Sequence, residues 1–368
     1  MIRVLHYGLS PNRGGIETYL DKIWTNVDHT RFCFDFVDEW HGQAFFREKF
    51  EKMGSAFYDI TPRRESIIKN CNEWTRLLKE EKPDILHCHL NTLSYITPVE
   101  QAVKLGIPTI VHSRSSGVNA STMTKALHRL NKLRLQNQDI ERLAVSTEAG
   151  NWLFGQKSKY TVLNNGIDID RFTYHEEDRE RIRRELDLSP DTFVVGNVGS
   201  LTEIKNQRFL IDIFQIVHKM RPDSVLLIAG QGRQKEELEA HIAELNLANA
   251  VFLLGNRPDV PALLAAMDVF VMPSLFEGFP NAALEAQTSG LPCVLSDVIT
   301  REVGVGTVRY LSLDKPASYW ADAVLGSKKN MNRPVSALIV EKTGFSTDKE
   351  ISKLEDIYFR TGIPVELI

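Results

Sequence analysis

Two glutamates stand eight residues apart in Pro273-Ser-Leu-Phe-Glu277-Gly278-Phe279-Pro280-Asn281-Ala282-Ala-Leu-Glu285. The apolar run before them reads as a strand, Pro280 suits an early helical position, and Glu285 then falls one turn inside a helix. Backbone at such a helix start can receive phosphate oxygens, and a carboxylate one turn in can reach polyol hydroxyls. Glutamate is common on surface helices, so the pair alone proves nothing. Its setting between a Gly-Pro turn and an Ala/Leu face makes it the strongest signal in the chain. Lys205, in Gly199-Ser-Leu-Thr-Glu203-Ile-Lys205-Asn206, lies between a strand-like run and a helix-like one. An ammonium there can neutralise a diphosphate; it would equally serve as a solvated lysine at a helix start. Gly230-Gln-Gly232-Arg233 follows the next strand-like run, as a turn toward phosphate or ribose. Gly14-Gly15 precedes a helical stretch and fits either an anion site or a tight turn. It does not match GxGxxG, so no dinucleotide fingerprint is supported. His112-Ser-Arg114-Ser-Ser-Gly117 ends a strand-like run. That imidazole can donate to a hydroxyl or phosphate, or be satisfied by backbone. Strand alternation puts His87 and His89 on one face with Cys88 opposite, but no third ligand can be placed, and no metal site is assigned.

The elements that position these residues alternate from end to end. Strand-like runs are Ile2–Tyr7, Phe32–Val37, Ala56–Ile60, Ile85–Leu90, Thr109–His112, Leu143–Ser146 and Thr161–Leu163, then Phe193–Val198, Val225–Ala229, Val251–Leu254, Val269–Met272, Cys293–Leu295 and Thr307–Leu311. Short apolar runs bounded by Gly, Pro, Asp or Ser are the mark of buried parallel strands. Helices are expected between them, among them Gln207–Lys219, Lys235–Leu245, Val260–Ala266 and Ala282–Ser289. The fold class is therefore α/β, with two Rossmann-like domains and a cleft between them. The expected division is 1–168 for an N-terminal domain and 169–190 for a linker, where His175–Arg184 is nearly all charged. A C-terminal domain follows at 191–345. The segment 346–368 is read as a helix packing back across the junction, with Ile351, Leu354 and Tyr358 on one stripe.

Composition narrows the function. A chain of 368 residues suggests two domains, and 44 Lys+Arg against 48 Asp+Glu gives −4, not the basic balance of a general nucleic-acid binder. Four cysteines, Cys33, Cys71, Cys88 and Cys293, form no CxxC pair, which favours reduced thiols and a cytoplasmic setting. No signal peptide and no membrane-spanning segment is expected. Peripheral contact is left open by Thr122–Gln138, where Met123, Ala126, Leu127, Leu130 and Leu133 form an apolar stripe beside Lys125, Arg129, Lys132 and Arg134. Such a helix suits an anionic membrane surface or simply packs on its own domain.

Taken together, these motifs resemble the large retaining glycosyltransferase family 4, of GT-B fold. The family pattern E-G-x-P-x-x-x-x-E is met by Glu277-Gly278-Phe279-Pro280 through Glu285. Gly14-Gly15-Ile16-Glu17 looks like its acceptor-side loop, and Asn164-Asn165-Gly166-Ile167-Asp168 with Phe172 is similar to its P-N-G-x-D segment. The bacterial exopolysaccharide and capsule enzymes of the EpsF type are the subgroup that looks most similar. The resemblance implies retaining transfer of a hexosyl group from a nucleotide sugar, a UDP-sugar by subgroup precedent, to a saccharide acceptor that is lipid-linked. A non-catalytic sugar-nucleotide-binding partner of the same fold is the alternative. It implies that Glu277 contacts donor-sugar hydroxyls, Glu285 holds the ribose, Lys205 stabilises the diphosphate and His112 lies near the reacting centre. Phe279, Pro280, Asn281 and Ala282 would present backbone to phosphate and sugar. Gly14 and Gly15 would approach the diphosphate, Gly230 would turn near phosphate or ribose, and Arg257 with Val260 would line the base pocket. No metal or other cofactor is implied. One departure stands out: the family has Gly-Arg where this chain has Gly199-Ser200, leaving Arg208, Arg13 or Arg114 to supply the second cation.

Overall fold

The computed structural model describes residues 1–117, 120–328 and 332–362. The chain forms two compact units, Met1–Asn165 with Asp348–Ile368, and Gly166–Thr347. The first holds β1 (Ile2–Tyr7), β2 (Phe32–Asp38), β3 (Phe57–Asp59), β4 (Ile85–Leu90), β5 (Thr109–Ser113), β6 (Glu141–Ala144) and β7 (Thr161–Val162). They form one parallel sheet in the order β3-β2-β1-β4-β5-β6-β7. The second holds β8 (Phe193–Val198), β9 (Ser224–Ala229), β10 (Val251–Leu253), β11 (Val269–Met272), β12 (Cys293–Ser296) and β13 (Val308–Leu311). Its parallel sheet runs β10-β9-β8-β11-β12-β13. Both follow the doubly wound strand order, in which the winding reverses beside the first strand. That places the switch points between β1 and β4 and between β8 and β11. All six positions of β4 and of β9 are buried, as strands covered on both faces require.

Helices fill the layers. In the second unit Leu210, Ile211, Phe214 and Val217 of the Gln207–Met220 helix pack into a core with Leu226, Ile228 and Trp320. In the first, Tyr19, Leu20, Ile23 and Trp24 of the Gly15–Asn26 helix meet Phe32, Phe34 and Phe36 of β2. The final helix, Thr347–Gly362, adds Ile351, Leu354, Ile357 and Tyr358 to that same core. The remainder of the expected 346–368 segment, residues 363–368, lies outside the described residues.

The expected linker at 169–190 is instead part of the second unit, as the helices Ile169–Phe172 and Glu176–Glu185. Its charge run is solvated on one side only. Arg179 donates to the carbonyls of Ala265, Ala266 and Met267 at 3.1 Å each, Arg183 donates to Ala266 O, and both reach Asp268. These arginines cap the end of the Val260–Ala266 helix, whose last carbonyls have no partner within it. Arg333 joins from the Arg333–Lys342 helix, donating to the carbonyls of Leu264, Ala265, Met267 and Ser289. That helix and Ala317–Leu325 have no counterpart among the expected elements.

Candidate functional site

In the second unit the loops that leave β8 and β11 flank the switch point, where ligands of doubly wound sheets are held. The β8 loop descends through Gly199 to a 3₁₀ turn, Glu203–Lys205, and Asn206 takes the left-handed conformation (φ 54°) that starts the next helix. It is tied to the β11 loop at two points: Leu275 N donates to Ile204 O (2.8 Å), and Asn206 Nδ2 donates to Pro273 O (3.1 Å). Buried polar groups beneath fix the β11 side, with Asn197 Nδ2 on Val271 O and Ser296 Oγ on Ser274 O. The outcome is a direct contact between the two strongest sequence candidates. Lys205 Nζ donates to Glu277 Oε1 at 2.7 Å and to Oε2 at 2.9 Å. The lysine side chain is 23% exposed and the glutamate's 8%.

Glu277 leads into the Asn281–Thr288 helix, with Pro280 at the cap position. Phe279 is buried with its ring 5.6 Å from that of Phe345. Asn281, Ala282 and Glu285 are half-buried on the first turns. Gly230, expected to turn near phosphate or ribose, also meets a steric need. At φ +150° a Cβ there would come within 1.9 Å of the Gly199 carbonyl, so the glycine lets the β9 loop pass under the β8 loop. Leu201 N on Gln231 O, 2.9 Å, locks the two together. Arg257, expected in a base pocket, is committed to two carboxylates: Asp259 (2.8 Å from both Nε and Nη2) and Glu185 (2.6 Å). Val260 beside it is the first residue of its helix and half-exposed. Arg208 pairs with Glu237 at 3.9 Å on an exposed face.

The remaining candidates belong to the first unit. His112 is fully buried at the end of β5. Its Nε2 lies 3.2 Å from Arg114 Nη1 and its Nδ1 3.3 Å from His87 Nε2. A guanidinium only donates, so His112 Nε2 must accept, and its Nδ1–H donates to His87. His87 Nδ1–H then donates to Tyr358 Oη, 2.8 Å away. Both ring nitrogens expected to serve a ligand are therefore engaged within the protein. Arg114 stacks over the Tyr19 ring at 3.7 Å and donates to Asn165 Oδ1 at 3.0 Å. The anion site expected at Gly14-Gly15 also has an internal occupant. Buried Glu17 accepts from Ser10 N (2.7 Å) and Gly14 N (2.9 Å), while Gly15 faces open space.

The third histidine that spacing alone could not place is His6, on β1. Register sets His6 beside His87 and His89 beside His112. The nitrogens of His6, His87 and His89 lie within 4.8 Å of one another. The rings are layered instead of convergent: His87 on His89 at 4.1 Å and 29°, His6 on His89 at 5.4 Å and 15°. His6 Nδ1 and His89 Nε2 are 3.1 Å apart, in hydrogen-bond contact. Burial drives all four imidazoles toward the neutral form, His6 down to about 3 and the others well below the ordinary value, with Arg114 adding to the effect at His112. This is a hydrogen-bonded neutral stack, and no metal is placed in it.

A doubly wound parallel sheet in each unit is the architecture of the GT-B glycosyltransferases. Residues 13–171 match the model of Glycosyltransferase Family 4 and residues 178–303 that of Glycosyl transferases group 1, and the chain belongs to these glycosyltransferases. It is 29% identical to the putative glycosyltransferase EpsF of Bacillus subtilis (strain 168), over 97% of this chain and 96% of that one. It is 27% identical, over the same shares, to the UDP-Gal:alpha-D-GlcNAc-diphosphoundecaprenol alpha-1,3-galactosyltransferase of Escherichia coli. In fold it is similar to Anabaena HepE, solved in complex with UDP, with TM-score 0.80 and 19% identity, over 98% of this chain and 100% of that one.

Proposed function

We propose that the protein transfers a hexosyl group from a nucleotide sugar, a UDP-hexose, to a lipid-linked saccharide with retention of anomeric configuration, in exopolysaccharide or capsule synthesis. The observation that carries the donor side is the Lys205–Glu277 pair at the second switch point. Leaving-group departure develops negative charge on a diphosphate, and a fixed ammonium beside helix N-terminal backbone stabilises it. No metal is required on this reading, because Lys205 and backbone donors supply the positive charge. Glu277 addresses donor hydroxyls, Glu285 the ribose, and the backbone of Phe279–Ala282 the phosphate and sugar. The leaving phosphate itself assists deprotonation of the acceptor, a same-face route that needs no protein nucleophile. His112 acts through the hydrogen bonds that hold the β5 end. The likeness to relatives named for EpsF and for a galactosyl transfer to a diphosphoundecaprenol acceptor supports the donor and acceptor classes.

The Thr122–Leu135 helix supports a membrane-side acceptor. It packs on its own unit through His128, Asn131 and Leu135, with Asn131 Nδ2 on Leu93 O and His128 Nδ1 accepting from Leu93 N. Its apolar stripe points the other way: Met123 is 68%, Leu130 51% and Leu133 66% exposed, next to exposed Lys125, Arg129 and Arg134. An inner face that packs largely through His128 and Asn131 and an apolar, basic outer face reverse the usual arrangement and suit an anionic lipid surface. Among the described residues no helix is long and apolar enough to cross a membrane.

The test is a donor screen by mass spectrometry with extracted lipid-linked oligosaccharides, run with and without a chelator. The expected result is a hexose-extended product with retained anomeric configuration, insensitive to chelation. Nucleotide binding without any product from any donor would instead identify the non-catalytic partner.

A further inference from the structure

The contact between Lys205 and Glu277 joins the group assigned to the donor diphosphate with the group assigned to the donor sugar. Both carboxylate oxygens lie within 2.9 Å of Nζ, so one anion already takes hydrogen bonds from the ammonium. The backbone on both sides is pinned, by Leu275 N on Ile204 O and Asn206 Nδ2 on Pro273 O. The lysine stem also lies against the backbone of Gly199, where a Cβ would be 3.6 Å from Cδ and Cε. The Lys205 stem is therefore supported along its length, and an anion that reaches Nζ must displace the Glu277 carboxylate. The neighbouring position 200 is a serine, and Arg208 is turned to Glu237, so neither supplies a second cation beside this pair.

We propose that Glu277 is an internal stand-in for the donor diphosphate: without donor its carboxylate is held on Lys205, and donor binding exchanges one anion for the other. The exchange has two consequences. Diphosphate binding competes with an intramolecular ion pair, which weakens nucleotide affinity and eases release of the nucleoside diphosphate product. The displaced carboxylate becomes free to accept from sugar hydroxyls only when a phosphate has taken its place, so sugar contact is conditional on correct seating of the diphosphate. This rests on the donor site proposed above.

The experiment is calorimetric titration of the 368-residue protein with UDP and with inorganic diphosphate, which carries the same two phosphates without a base. Glu277→Gln removes the competing charge, and Glu277→Asp keeps the charge but is one methylene too short for the same bidentate contact. Both should bind the two probes about three- to tenfold more tightly than wild type, the range expected for loss of a partly buried ion pair. Transfer turnover should fall in both, since the sugar contact is lost, so affinity and kcat move in opposite directions. In a Lys205→Met background, which should bind more weakly, the gain from Glu277→Gln should vanish. If that gain persists without Lys205, or if Glu277→Asp binds as wild type does, simple repulsion is at work and the exchange is overturned. If Lys205→Met leaves the affinity for both probes unchanged, or wild type binds neither, the donor site itself is misplaced.

Discussion

An ammonium or a helix start that is to receive an anion must be kept from collapsing onto the nearest protein group, and two candidate anion sites in this chain have a glutamate in residence. Glu277 holds Lys205, and Glu17 holds the amides of Ser10 and Gly14. Glu285 differs in position, being one turn inside its helix, where it can meet a ribose without competing for the lysine. Glu285→Ala should therefore raise the donor KM by about 10- to 100-fold, the worth of one or two hydrogen bonds to a charged group, with a much smaller change in kcat. Steady-state kinetics over a donor series checks this; a pure loss of kcat at unchanged KM would move Glu285 from binding to the chemical step. Lys205 and Glu277 stood out as candidates because their loops directly follow strands and carry Gly and Pro at the turns. Their mutual contact did not, since it depends on the crossing of two loops that brings together residues 72 apart in the chain. The partners of Arg257 were out of reach for a similar reason: spacing cannot show that Glu185 comes within 2.6 Å of it.

At the scale of elements, periodicity located the strands well, and Ile2–Tyr7, Ile85–Leu90, Phe193–Val198 and Val269–Met272 are found at the bounds that apolar runs predict. Where charge hid a buried role, the pattern failed. Arg179, Arg183 and Arg333 bury guanidinium groups against helix-end carbonyls, which a hydropathy reading scores as solvent-facing. Register was likewise out of reach, and it is register that layers His6, His87, His89 and His112 across β1, β4 and β5. This stack makes stability depend on pH. Each imidazole is held neutral when folded, with its pKa below the unfolded value of about 6.5. The contribution is thus intact above about pH 6.5 and is lost as pH falls below it, because the unfolded chain then binds protons that the folded chain refuses. Each histidine should cost about 1.4 kcal/mol per pH unit in that range. Urea denaturation at pH 7.5, 6.5 and 5.5 should show stability dropping steeply over the last step. His6→Phe, which keeps a ring against Phe34 and Phe36, should flatten the slope by one proton. A pH-independent midpoint would mean that the stack opens and protonates without unfolding.

For the molecule as a whole, the chain order and the order of assembly differ. The first unit closes only when the last helix returns, bringing Ile351, Leu354, Ile357 and Tyr358 into a core begun by β1 and β2. Glu350 on that helix is buried and paired with Lys22, and Tyr358 takes the hydrogen bond from His87. The second-unit core built on Leu210, Phe214, Leu226 and Trp320 includes no described residue of this segment. Burial of four such side chains is worth roughly 6–12 kcal/mol at about 1.5–3 kcal/mol each, which is comparable to the entire stability of a domain, about 5–15 kcal/mol. A chain ended after Thr347 should therefore keep a folded second unit and lose the first. Hydrogen exchange read by mass spectrometry separates the two: amides of β1, β2 and β4 should lose protection, while those of β8, β9 and β11 keep theirs. Diphosphate binding through Lys205 should survive in the shortened chain and transfer should not. Tyr358→Phe, which leaves the packing but takes the acceptor from the buried His87 Nδ1–H, should cost about 1–3 kcal/mol and retain transfer. Equal loss of protection in both sheets would mean that the units fold as one cooperative body and that the last helix stabilises the two together.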